Sequence, residues 1–585
     1  MSVPTAELSH PTVATRAGSR RGFDTSWLTD ARFYAVLAVV GLVIGGCSLL
    51  IPSTPSYDPW AWLVWGREII HLNLHTTGGP TWKPLPMIFT TFFALFGKSA
   101  APDMWLVVAR AGAVAAAVMV FKVAARFTWM LSDRAGIGDR SGSTAQRIAA
   151  ASPAVLAGVI AALGLIFSSA FITDNAYGYS EGLMTALVLI ALERHVDGHQ
   201  RQAFIFGFFA ALDRPEIWLF WGPYGLWLFW KDPGARTLVV GLFVLIPILW
   251  FLPEYWGSGH FFRGVSRANH PRSNSPAFAK CPFCTEFRNA WITVLSRIKI
   301  AALIAVAVAA GLLGLARITG REPGGRIGAE RNLNPMRWSW KFADQRERAM
   351  FYTGLAALAG IAWWVVIAVL TQAGFSGNNR YLVLGAALIE VTGGVAFGWA
   401  AIELARWRRR LMERTVGEEA INRFPLLSGY APTVLLLALV FAFIPGFVGN
   451  SMTDIQRTHR SLVYQAHLRQ DLSAVIAKFG GAKRILACGS VMTEGFQVPM
   501  AAYALDERTL LVLDEPNPVL RVPPSQAYPG PGPSTILQTR AQSNASLLPS
   551  PTAVRDWQHN GTPYTTYIHV RSFRLFSRCP AKVTG

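Results

Sequence analysis

The stretch PLPMIFTTFFALFG, residues 84–97, decides the layout of this chain. It is largely apolar, yet as a helix it reaches roughly 21 Å, short of the ~30 Å hydrocarbon core of a bilayer. Read as a crossing, it places DRAGIGDRSGSTAQR (133–147) outside the membrane and inverts every later loop. Read as a segment lying in the interface or re-entering it, it leaves the loops 132–147, 194–201, 231–236, 317–348 and 405–423 on the cytoplasmic side. All of these carry Arg or Lys, so the second reading satisfies the positive-inside rule and is the one adopted.

The apolar runs long enough to span then lie near 33–51, 104–130, 148–171, 237–252, 298–316, 350–371, 381–404 and 430–449, with a weaker one at 176–193. Residues 202–230 form two short halves split by Asp213-Arg214-Pro215-Glu216, a hairpin with its tip outward. The expected fold is a polytopic α-helical membrane protein of about eleven transmembrane helices, N-terminus in and C-terminus out. Composition agrees. Of 585 residues, 52% are hydrophobic and 15% charged, and the mean hydropathy is +0.32. No soluble domain of this size needs so little charge. The formal charge of +20 sits in short segments between apolar runs, where topology accounts for it. No basic stripe with interleaved aromatics marks a nucleic-acid partner. Residues 1–31 are polar and read as a disordered cytoplasmic tail before an uncleaved first helix.

This layout gives a membrane domain over 32–450 and gathers four polar stretches on the outer face: 52–103, 172–180, 253–297 and 372–380. The loop 253–297 is basic, with Arg263, Arg267, Arg272, Lys280, Arg288 and Arg297 against Glu254 and Glu286, which suits an anionic ligand such as a lipid phosphate. Beyond the last span, 451–585 holds no membrane-length run. Leu468, Leu472, Val475, Ile476 and Phe479 recur at helical spacing before Gly480-Gly481. RILACG and TLLVLD read as short buried strands, TTYIHVRSF as a half-exposed strand, and 522–552 as a loose loop, giving a small extracytoplasmic α/β domain. Cys488 and Cys579 both fall in that domain, where an oxidising compartment permits a disulfide. Cys281 and Cys284 form CPFC in the basic loop. A zinc site needs further ligands at familiar spacing and a redox motif needs a βαβ context, so a local disulfide is the expected reading. Cys47, in the first span, reads as a packing residue.

Acids on the outer face are few. In PSTPSYDPWAWLVWGRE (52–68), Asp58 stands among Trp60, Trp62 and Trp65; Asp174 and Glu181 follow the third span, and Glu216 lies in the hairpin. The indoles around Asp58 suit a lipid–water interface, where they would anchor the loop, and Asp58 itself is either the cap of a helix or a base held at the membrane surface. The available cations are Lys83, Arg110, Arg214 and Arg380. Charges at membrane depth are costly and point to function unless they pair internally, as Arg110 with Asp58 or Arg214 with Glu216 would.

The order of these elements resembles the GT-C superfamily of polyprenyl-phosphate-sugar glycosyltransferases, above all the protein O-mannosyltransferases and lipid A aminoarabinose transferases. The motifs that carry the likeness are Tyr57-Asp58-Pro59, Lys83-Pro84-Leu85-Pro86, Leu95-Phe96-Gly97 and Arg110, spread over residues 33–230, with an echo at GNNRY (377–381). Pro59 replaces the second acid of the family pattern, and the second proline of the lysine motif is displaced. The C-terminal domain lies outside the resemblance, although several actinobacterial members carry one. The likeness implies a multi-pass inner-membrane enzyme that transfers a sugar, mannose or arabinose, from polyprenyl phosphate to a glycan, lipid or protein acceptor in the envelope, with inversion. It implies Asp58 as general base with Asp174 as the second candidate, and Lys83, Arg110, Arg214 and Arg380 as cations for the donor phosphate. Trp60, Trp62, Trp82, Tyr177, Glu181, Glu216 and Tyr381 are then the candidates for holding sugar and acceptor. Some members of the superfamily use a divalent cation; no acid pair here requires one. Two other classes compete: a transporter or flippase of lipid-linked sugars, and a non-catalytic scaffold that binds envelope glycans. The first predicts interrupted helices at matching positions of two halves, and the hairpin at 213–216 has no later counterpart. The second leaves the charges at membrane depth unexplained.

Overall fold

The computed structural model describes residues 31–132, 144–168, 171–271, 275–318, 344–415, 429–442, 447–514 and 532–581. The tail 1–30, most of the loops 132–147 and 317–348, and the second part of 405–423 lie outside the described residues. Among those described, six helices are long and apolar enough to cross a membrane: Arg32–Leu50, Ala101–Ser132, Pro233–Ser258, Ser296–Leu315, Gln345–Gln372 and Asn379–Thr415. Further helices occupy the other places where the sequence pattern sets a span: Thr144–Ile166, Glu181–Val196, Gln200–Ala211, Trp218–Lys231 and Ala431–Ala442. The helix at the centre, Val383–Thr415, is buried along its first four turns and packs against Thr144–Ile166, Ser296–Ile318 and Gln345–Gln372.

Residues 84–97 form a helix over Pro84–Ala94, about 16 Å long. Proline at its first turn and the extended Lys83 before it set the start. Leu85, Met87, Thr90 and Phe93 face inward, whereas Ile88, Phe92, Leu95 and Phe96 are exposed. The helix thus carries an outward apolar stripe but is too short to cross a bilayer core. The helix Tyr57–Ile70 packs on it so closely at Gly66 that an added Cβ would fall 2.6 Å from the Thr90 backbone.

The three indoles of that second helix differ from expectation. Trp62 and Trp65 are fully buried and Trp60 nearly so. They are core residues and not anchors at a lipid boundary: Trp62 meets Trp105 edge-on at 5.5 Å, Trp65 packs on Trp82 at 5.8 Å, and Trp60 packs on Tyr503 at 5.1 Å. Cys47 also departs from the pattern, since it is exposed on its helix and packs no core.

A helix over Phe447–Phe479 leads into the C-terminal unit and ends at Gly480 and Gly481, both at positive φ (111° and 98°). The sheet comprises β1 (Val491–Thr493), β2 (Val512–Asp514), β3 (Thr535–Arg540), β4 (Leu547–Leu548), β5 (Thr566–His569) and β6 (Arg574–Ser577). The main path runs β2-β1-β3-β6-β5, and β4 pairs with β3. β1 runs parallel to β2 and β3, and the remaining pairs are antiparallel. RILACG is helical over Ala482–Ala487 rather than a strand, because a short apolar run satisfies either period. TLLVLD is a strand only from Val512. The expected loose loop over 522–552 instead contains β3, the middle of the sheet. Its polar residues are buried but satisfied: Gln538 donates to the Pro549 carbonyl at 2.6 Å and Thr539 to that of Ser572 at 2.7 Å.

This unit rests on the second helix. Arg67 donates to the carbonyls of Glu507 (2.7 Å) and Tyr503 (3.3 Å), Lys98 meets Asp506 at 2.7 Å, and Arg469 meets Asp103 at 3.0 Å. Disulfides join Cys488 to Cys579, 91 residues apart with Cα atoms separated by 6.0 Å, and Cys281 to Cys284. Non-reducing peptide mapping should recover the Cys488–Cys579 link, and Cys488→Ser should destabilise the unit by about 2–5 kcal/mol, the usual effect of removing a native disulfide. Free thiols at both positions in protein isolated without reductant contradict the pairing.

Candidate functional site

Asp58 sits in the first turn of the helix Tyr57–Ile70. The turn is pinned by Ser56, whose backbone N–H donates to the Tyr177 carbonyl at 3.0 Å and whose hydroxyl lies 2.9 Å from that of Tyr179. Arg380 stands opposite, in the 3₁₀ turn Asn379–Leu382 that opens the central helix. Its Nη2 donates to Asp58 Oδ2 at 2.6 Å, its guanidinium lies over the Tyr179 ring at 3.9 Å, and its Nε is 3.7 Å from Glu181 Oε1. These positions are 322 residues apart in sequence and meet because two helices start at the same place.

Behind this pair the charges continue inward. Glu181, in the first turn of Glu181–Val196, accepts from Lys83 Nζ at 3.3 Å and Arg214 Nη1 at 3.2 Å. Lys83 also donates to Ser180 Oγ at 3.2 Å, stands 3.8 Å from Asp213, and lies over the Trp62 ring at 5.4 Å. Arg214 is held by Glu216 at 2.7 Å and stacks over Tyr381 at 3.7 Å. Buried charges of this density persist only when each has a partner. The matching is incomplete at particular atoms: Arg380 Nε and Nη1, Glu181 Oε2 and both Asp213 oxygens make no hydrogen bond.

Asp58 and Arg380 open onto a cavity of about 490 Å³, which Asp174, Tyr179, Arg267 and Phe496 also line. No hydrogen bond reaches the Asp174 carboxylate among the described residues, and burial raises its pKa to about 7 against the pull of Arg380, with Glu181 adding to the rise. Burial likewise raises the Tyr179 phenol.

The structure thus brings together Asp58, Asp174, Lys83, Glu181, Arg214, Glu216, Arg380 and Tyr381. It leaves Arg110 apart. Rather than pairing with Asp58, its guanidinium donates to Ser48 Oγ at 2.8 Å and the Ala176 carbonyl at 2.7 Å, tying the end of the first helix to the turn that carries Asp174. Trp60, Trp62 and Trp82 are buried away from this cavity, and Trp82 donates its N–H to the Leu249 carbonyl at 3.0 Å. The Tyr177 hydroxyl donates to Ser461, on the helix entering the C-terminal unit. Two cations of the basic loop are taken up by the chain itself: Arg263 donates to the carbonyls of Pro80, Gly79 and Thr77, and Arg267 to those of Gly79 and His270.

Sequence reasoning passed over Asp213 and Tyr179, although each lies in a stretch it had singled out, and it named Arg267 only as one cation of the basic loop. Phe496 carried no signal at all. A metal finds no fit: among the described residues no three His, Cys, Asp or Glu side chains gather to hold one, and the nearest acids already face Arg380.

No protein-family profile matches the chain, and no curated protein does. Among solved structures it is similar to ArnT from Cupriavidus metallidurans bound to undecaprenyl phosphate, with 12% identity and a TM-score of 0.46, covering 95% of this chain and 98% of that one. The apo state of the same protein gives 11% and 0.45 over the same shares. An Archaeoglobus fulgidus oligosaccharyltransferase, tethered to an acceptor peptide with the NVT sequon, gives 11% and 0.40 over 82% of this chain and 64% of that one. At these values the likeness stands as an observation, and the site is read from its own residues.

Because the native state holds a proton on Asp174 up to about pH 7 while an unfolded Asp releases it near 4, this group lowers stability as pH rises through that window. Asp174→Asn keeps the shape without the charge. Its melting temperature relative to wild type should therefore be higher at pH 8 than at pH 5. An equal difference at both values contradicts the raised pKa.

Proposed function

We propose that this protein is a membrane glycosyltransferase of the GT-C type that moves a sugar, mannose or arabinose, from polyprenyl phosphate to a hydroxyl of an envelope acceptor. The carrying observation is Arg380. Asp58 holds this guanidinium at 2.6 Å at a cavity wall, while its Nε and Nη1 remain without hydrogen bonds. A buried cation with donors left over is ready for an anionic group, and a phosphate oxygen suits its planar geometry.

The reaction follows from that placement. The donor's phosphate lies against Arg380, with the charge of Lys83 and Arg214 behind it. The acceptor oxygen forms a bond to the anomeric carbon from the face opposite the phosphate. The carbon–oxygen bond to phosphate breaks, and its electron pair stays on the phosphate, where the fixed guanidinium stabilises the developing charge. The acceptor's proton passes to a carboxylate. Asp58 is the base in this scheme: a phosphate on Arg380 draws the guanidinium's charge toward itself and loosens its hold on Asp58 when the proton must move. Asp174 lines the same cavity with a pKa near the working pH and is the second candidate. No step requires a metal.

Asp58→Asn should lower transfer by about two to four orders of magnitude, the usual share of a general base, while binding of the polyprenyl-phosphate donor persists. Arg380→Ala should weaken donor binding as well as turnover. The measurement is transfer from purified sugar-lipid in nanodiscs, with donor binding alongside. Undiminished transfer by folded Asp58→Asn removes it from the mechanism, and loss in Asp174→Asn instead assigns the base there. If the wild-type protein neither binds nor uses such donors, the proposal is wrong.

A further inference from the structure

One wall of the cavity comes from the C-terminal unit, which the reaction scheme does not use. β1 ends at Thr493, and the chain turns at Gly495–Gln497 so that Phe496 lines the cavity. The turn is fixed at both ends. Glu494 accepts from the Phe496 N–H at 2.9 Å through its side chain and from the Gln497 N–H at 2.8 Å through its carbonyl. Thr493 Oγ1 is in turn bonded to the Leu537 carbonyl on β3 at 2.8 Å. A phenyl ring that is 41% exposed is therefore held in place by backbone geometry. It meets the ring of Tyr57, the neighbour of Asp58, edge-on with centroids 6.3 Å apart.

What surrounds this pair is polar. Ser376, Asn378, Asn379 and Asn289 line the same cavity with hydroxyls and amides. Apolar ring faces among groups that both donate and accept hydrogen bonds match a pyranose or furanose ring, whose C–H face is apolar and whose rim carries hydroxyls. Asn378 and Asn289 already donate through Nδ2 to Tyr381 (3.0 Å) and Glu286 (3.4 Å); an isoprenoid or acyl chain desolvates their amide oxygens without offering a donor, which disfavours it.

We infer that Phe496 and Tyr57 form a stacking platform for a sugar ring of the acceptor, so that the acceptor is a saccharide recognised jointly by the C-terminal unit and the second helix. This deepens the transferase reading and rests on it for the word acceptor; the binding site itself is testable without transfer. The donor occupies the Arg380 side, and the platform fixes the ring whose hydroxyl approaches Asp58. Phe496 is thus a specificity-determining residue contributed from outside the membrane part.

The test uses the full-length protein in nanodiscs, with α-linked mannopentaose and arabinopentaose as probes. Saturation-transfer NMR and titration are read for wild type, Phe496→Ala and Phe496→Tyr. We expect binding of at least one probe, with saturation strongest on ring C–H protons. Affinity should fall roughly tenfold in Phe496→Ala and be retained in Phe496→Tyr, in line with the size of aromatic contacts. Because Phe496 is exposed, its loss leaves the fold intact, and an unchanged melting temperature checks this. Equal affinity of wild type and Phe496→Ala, or no binding of either probe by wild type, overturns the platform. Undecaprenyl phosphate binding in the same samples separates the two proposals. Lipid bound without saccharide defeats this inference alone, whereas saccharide bound through Phe496 without donor binding or transfer defeats the transferase reading and keeps the saccharide site.

Discussion

A guanidinium buried between two carboxylates is the constraint on which this site depends. Arg380 reaches Asp58 at 2.6 Å and comes within 3.7 Å of Glu181, which Lys83 and Arg214 also hold. Removing one partner of such a set leaves an unmatched buried charge, with a penalty of about 3–5 kcal/mol in comparable cases. The charges therefore hold one another in place. Glu181 is the shared node, because Lys83 and Arg214 converge on the same oxygen that faces Arg380.

The fold delivers these charges by starting helices at one level. Asp58, Glu181 and Arg380 each lie in or beside the first turn of a helix, and the hairpin tip at 213–216 brings Asp213, Arg214 and Glu216 beneath them. The two acids thus stand where backbone N–H groups and the helix dipole favour negative charge. Arg110 and Ser56 act on this arrangement without joining it, fastening the turn 171–180 to the first helix and to the second. The C-terminal unit closes the remaining side through contacts to Arg67, Lys98 and Asp103.

Much of this was legible in the sequence, for identifiable reasons. The helix Pro84–Ala94 was readable because length against bilayer thickness is a purely local criterion. Asp58, Asp174, Lys83, Arg214 and Arg380 stood out because charge is rare in apolar surroundings. Apart from Arg214 with Glu216, two residues away, their pairing was not readable, since nothing local links position 58 to 380 or 83 to 181. Trp60, Trp62 and Trp65 misled because an indole suits a lipid boundary and a packed core equally. β3 escaped notice because Thr535, Gln538 and Thr539 look like loop residues until their partners on other strands and turns are seen. Phe496 was illegible for the same reason in reverse: its meaning lies wholly in what faces it.

The central claim is that Asp58 and a donor phosphate share one guanidinium. A double-mutant cycle on donor affinity tests this most directly, with undecaprenyl phosphate titrated into nanodisc samples of wild type, Asp58→Asn, Arg380→Gln and the double variant. The account predicts that Asp58→Asn tightens phosphate binding when Arg380 is present, because its competitor is gone, and changes nothing when Arg380 has been replaced. Strictly additive effects, or phosphate binding indifferent to Arg380, contradict it.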